Sequence, residues 1–137
     1  MTFSLIMLAA MAATHTISIP HDGSSIDAAY SARAEIRTQT IGAYTPNRTD
    51  TRRCLWTATL VVERQLGGHP AASRIISSDR ELKGSRSGTC SETKRNSIKQ
   101  EVLSRESLIR DHLLAVARQD HAPLLAELSA VRPVGTR

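Results

Sequence analysis

Residues 54–64, CLWTATLVVER, constrain the chain most, because β-branched residues, the only tryptophan and one of two cysteines coincide there. Val, Thr and Trp suit a pleated, half-buried surface, so the segment predicts a strand. Alternation puts Cys54, Trp56, Ala58, Leu60 and Val62 on one face, with Leu55, Thr57, Thr59 and Val61 on the other. The first face is expected to look into a core. Cys54 then has one available partner, Cys90, which lies just before the longest amphipathic pattern in the chain. A Cys54–Cys90 bridge would tie this strand to a helix entrance and close a loop of about 37 residues, contributing roughly 3–4 kcal/mol by restricting the unfolded chain.

Periodicity organises the rest. Residues 33–43 alternate, Ala34, Ile36, Thr38 and Thr40 against Glu35, Arg37 and Gln39, and predict a first strand. Residues 44–53, with Pro46, Asn47 and Asp50, read as a long hairpin connection into the tryptophan strand. After the punctuation at residues 66–70, residues 73–78 predict a third strand, and the polar residues 79–89 predict a surface loop delivering the chain to Cys90.

Beyond Cys90 the period becomes helical. Ile98, Val102, Ile109, Leu113 and Val116 fall within about 60° of one another at 100° per residue, and Ser91 is the candidate N-cap. A helix break is expected at Asp120–Pro123, with Asp120 capping a short final helix that buries Leu124, Leu128 and Val131. The fold class expected is therefore α+β: a small antiparallel sheet of about three strands packed against a long C-terminal helix plus a short final helix.

Residues 3–13, FSLIMLAAMAA, match a signal-peptide h-region in length and fall short of the ~20 residues a spanning helix needs. Ala10 and Ala12 supply the small residues of a cleavage site, although Met1-Thr2 carries no positive charge. The expected organisation is a signal peptide over 1–13, a turn-rich linker over 14–32 and one domain over 33–137. An even cysteine count suits the same oxidising destination, secreted or periplasmic. A cytoplasmic chain with two buried thiols is the alternative.

Composition selects partners only broadly. A formal charge of +5 favours an acidic protein or polyanion. If the bridge forms, Arg52, Arg53, Lys83, Arg86, Lys94 and Arg95 would gather around a helix N-terminus and attract anions. Aromatic residues make up only 3% of the chain, which removes the stacking platforms that single-strand and RNA readers rely on.

Catalytic patterns are absent. Residues 84–88, GSRSG, resemble a nucleophile elbow but hold Arg86 at the centre, with Ser85 and Ser87 at the flanks. The pairs Asp111-His112 and Asp120-His121 stand nine residues apart, on opposite sides of a continuous helix. His112 falls at the edge of the apolar stripe, and the sequence predicts no metal site, cofactor or catalytic residue. The functional expectation is an exported, disulfide-stapled, non-catalytic binding or interaction domain. An intracellular basic nucleic-acid-binding protein is the second reading and a small hydrolase the third.

Overall fold

The computed structural model describes residues 8–21, 23–67 and 73–130. Four antiparallel strands, β1 (Leu8–His21), β2 (Ser24–Ile41), β3 (Arg53–Leu66) and β4 (Ser73–Ser87), form one meander in the order β1-β2-β3-β4. Two helices, α1 (Glu92–Ser104) and α2 (Glu106–Ala130), pack on one face of it. The α+β class is as expected, with four strands in place of about three.

Strand β3 is the tryptophan segment, and its alternation holds: Cys54, Trp56, Ala58, Leu60 and Val62 are buried in the core beneath the helices. Its neighbour β2 buries Ala28, Tyr30, Ala32, Ala34 and Ile36 on the same side. Alanine explains how two layers fit so closely over the centre of β2. Small side chains let the helices approach, while Ile98, Val102, Ile109 and Leu113 supply the volume from above.

The expected linker over 14–32 is strand instead. Ala13, His15, Ile17 and Ile19 alternate with exposed Thr14, Thr16 and Ser18 along β1, and β2 begins nine residues before residue 33. Gly23, at φ +80, makes the tight turn between them. From Leu8 the apolar leader run also lies in β1, opposite Ile36, with an irregularity in register between Met11 and Ala13. Residues 1–7 lie outside the described residues.

The expected loop over 79–89 is likewise strand as far as Ser87, because it pairs with β3 from Leu60↔Arg80 to Arg53↔Ser87. Polar sequence misleads here because β4 is an edge strand whose side chains are mostly exposed, and only Leu82 is buried. Gly84 sits opposite Trp56, and a Cβ there would lie 2.5 Å from the indole ring. The glycine is the space into which the tryptophan fits.

The helices break where the stripe was expected to run on. Ser91 caps α1, its hydroxyl accepting from Lys94 N–H, and Arg105 ends it, donating its N–H to Val102 O. The break expected at Asp120–Pro123 is absent, and α2 passes through Pro123 as far as Ala130. Pro123 deprives the Gln119 carbonyl of a donor. It lies on the exposed side, while Asp120 and Leu124 are anchored below.

Cys54 and Cys90 are joined in a disulfide across a sequence separation of 36, linking the start of β3 to the residue before the Ser91 cap. The Cys54→Ala/Cys90→Ala double variant is expected to lose about 3–4 kcal/mol in urea unfolding. Gly84→Ala is expected to lose about 1–3 kcal/mol by overpacking against Trp56, read the same way.

Candidate binding cleft

Alternation carries one residue beyond the apolar set of β3: Arg64 occupies the next inward position. Its side chain is 3% exposed, a burial that an arginine sustains only when paired. Nη1 donates to both oxygens of Asp120, at 2.9 and 2.7 Å, and Nη2 donates to Glu127 at 2.6 Å. Tyr30, on β2, donates its hydroxyl to Asp120 at 2.7 Å. Asp120 and Glu127 stand seven residues apart in α2, two turns on one face. One guanidinium and one phenol thus tie the far half of α2 to the two central strands. Asp120 was expected to be a helix cap, and its carboxylate is used here instead.

The group shapes the titration of its members. Burial, and then the neighbouring Asp120 carboxylate, push the Tyr30 phenol far above its ordinary value. The Arg64 hydrogen bond holds Glu127 below the usual glutamate range.

Beside this knot the sheet face is left open. Strand β4 shifts register twice, with Ser78 and Asp79 set against the single residue Val61 and with Ile76 extra between Val62↔Ser77 and Glu63↔Ile75, and Ser77 Oγ donates to Asp79 at 3.0 Å. Such bulges bend an edge strand and re-aim its side chains. Between this part of β4 and α2 lies a cleft of about 1020 Å³. Arg64, Asp120 and Glu127 line one end, and Arg80 and His112 the other. Ile75, Ile76, Ala115, Val116 and Pro123 form apolar walls between them. A smaller, open depression of about 590 Å³ on the polar side of α1 has the Arg86–Glu101 pair, at 2.8 Å, in its lining.

Two polar atoms on cleft residues have no hydrogen-bond partner among the described residues: Arg64 Nε and His112 Nε2, each buried at the atom. A buried donor left unmet costs about 1–3 kcal/mol. His112 is half-buried at the edge of the apolar stripe, as its position predicts. Burial pushes its imidazole below the ordinary histidine value, and the nearby Arg80 adds to the effect. The cleft therefore offers a neutral imidazole at neutral pH.

The six cations expected to gather at the helix entrance are placed around it but engaged within the chain. Arg52 pairs with Asp50 at 2.8 Å and lies over the exposed Tyr44 ring at 5.0 Å. Arg53 donates to the Ser85 hydroxyl, and Arg86 pairs with Glu101. Lys94 donates to the Ser87 carbonyl and Arg95 to the Cys90 carbonyl. Lys83 is 3.8 Å from Glu81 on the outer edge. Arg105, at the junction of α1 and α2, lies over the Trp56 ring at 5.7 Å and pairs with Glu101 at 3.6 Å. The GSRSG segment is part of β4, with Ser85 and Ser87 exposed.

Among the described residues no group of three potential ligands is gathered to hold a metal ion. No described helix is long and apolar enough to cross a membrane. The fold and cleft define the molecule as a disulfide-bridged α+β domain with a semi-apolar groove between an edge strand and its last helix. No family model, curated protein or solved structure matches this chain.

Asp120→Ala is expected to destabilise the fold by about 3–5 kcal/mol, because it leaves a buried guanidinium without its main counter-charge, measured by denaturant unfolding. Acidification should weaken the fold in two stages. His112, depressed in the folded state, lets the unfolded chain take up a proton first, so stability falls as pH drops below about 6.5. Glu127, also depressed, adds a loss once pH passes downward through the ordinary glutamate range. In thermal melts across pH, His112→Gln should remove the first stage and leave the second.

Proposed function

We propose that the protein is an exported, non-catalytic binding domain that holds a partner in the β4–α2 cleft. The observation that carries this reading is a groove of about 1020 Å³ in which Arg64, Arg80, His112 and Gln119 converge between the aliphatic walls of Ile75, Ile76, Val116 and Pro123. Grooves that combine apolar walls with a few convergent polar groups are the ordinary form of a binding site. The overall charge of +5 supports an acidic protein as the partner, through long-range attraction. The cleft supplies the short-range contacts.

Export is supported by the h-region and by the Cys54–Cys90 bridge, since disulfides persist in oxidising compartments. Cleavage after Ala12 or Ala13 would coincide with the register irregularity of β1. The strand would keep its pairing with β2 from Thr14↔Ser31 to His21↔Ser24.

Two measurements test the reading. Residues 1–20 fused to a leaderless alkaline phosphatase should give enzyme activity outside the cytoplasm, and a reporter retained inside overturns export. Adding a tryptic digest of serum albumin to the ¹⁵N-labelled full chain should shift amide signals within 73–80 and 112–127. The cleft assignment falls if that spectrum is unchanged, or if the shifts lie elsewhere.

A further inference from the structure

The two walls of the cleft run side by side over matched lengths. On the sheet, Arg80 lies opposite Leu60 and Arg74 opposite Arg64, four β3 residues apart, or about 13 Å at strand rise. On the helix, His112 and Asp120 are eight residues apart, or about 12 Å at helical rise. His112 and Arg80 share one end, Asp120 and Arg64 the other. This is a slot about four extended residues long.

Its charges cancel. Arg64, Arg74 and Arg80 stand against Asp79, Asp120 and Glu127, and Asp111 adds a negative group beside Arg80 and His112. A polyanion entering the slot would meet three carboxylates at close range. Arg64 already contacts two of them, so its charge is neutralised within the chain. No Tyr, Trp or Phe lines the cleft, so nucleobases would find no stacking surface there. The apolar walls are aliphatic and suited to side chains spaced along a backbone. Gln119, Ser77 and Ser78 offer both donors and acceptors between the ends, as a polypeptide main chain requires.

We infer that the cleft takes an uncharged, extended polypeptide segment of about four residues. Its main chain hydrogen-bonds to Gln119 on the helix side and to Ser77 or Ser78 on the strand side, and an apolar side chain seats against Ile76, Val116 and Pro123. This rests on the binding-domain reading above and narrows it: an acidic partner would be drawn in by charge but inserts a neutral stretch.

The test is a display selection of random 12-residue peptides on the immobilised, oxidised full chain, with fluorescein-heparin and an all-glutamate 12-mer as parallel probes. Ala115→Trp blocks the groove from an exposed helix position and should leave the melting temperature unchanged. The expected result is enrichment of peptides with an uncharged core of apolar residues, whose affinity falls at least tenfold in Ala115→Trp. Binding by such a peptide should also protect amides of 73–80 from hydrogen exchange. Enriched peptides indifferent to Ala115→Trp overturn the inference. Selection of acidic cores, or heparin or glutamate binding that Ala115→Trp abolishes, also overturns it while leaving the cleft as the binding site. If no peptide is enriched and neither polyanion binds, the inference and the binding-domain reading fall together.

Discussion

A guanidinium buried at the end of β3 governs the arrangement of the helical layer. Arg64 cannot stay inside the domain without counter-charges, and α2 supplies them from Asp120 and Glu127, with Tyr30 of β2 completing the group. Because those acids are two turns apart on one face, the helix must remain regular between them. That requirement runs straight through Pro123 and accounts for a helix that continues where its sequence predicts a stop. The same pairing holds α2 at the end of the sheet where β4 bends away, so a stability device and the groove share a boundary.

The disulfide acts at the opposite end. It fixes the residue preceding the Ser91 cap to the start of β3, so α1 leaves the sheet from a defined point. Between the bridge and the ion-pair group, the chain turns at Arg105, whose guanidinium lies over Trp56. Gly84 completes that corner by leaving room for the indole on the edge strand. The helical layer is thus held at three places on the sheet, by a covalent bond, a stacked cation and a buried ion pair. A core poor in aromatic residues and rich in alanine buries less apolar area per residue than usual, so such localised ties matter more to its cooperativity.

The cations near the disulfide are each engaged by a group of their own chain. Residue spacing does bring Arg52, Arg53, Arg86, Lys94 and Arg95 around the helix entrance, and there each meets a carboxylate, hydroxyl or carbonyl. In the β4–α2 cleft cations and acids likewise compensate one another, and what sets it apart is its size and the aliphatic walls between its polar ends. Apolar surface left open between convergent polar groups, rather than formal charge, is the property that directs a ligand there.

Local sequence determined a good deal of this molecule. Alternation in β3, the change to a helical period after Cys90 and the Ser91 cap follow from residues read a few positions apart, and the pairing of Cys54 with Cys90 follows from there being only two cysteines. The alternating alanines of β2 and the inward parity of Arg64 were also written there, though small or charged residues carry that signal weakly. Only the tertiary structure decided the rest. An exposed edge such as β4 needs no apolar pattern, because its pairing comes from the backbone of β3. The course of α2 past Pro123 depends on a partner for Asp120 that lies 56 residues away at Arg64. The groove exists only because a bulge and a helix meet in space, and no run of neighbouring residues encodes such a meeting.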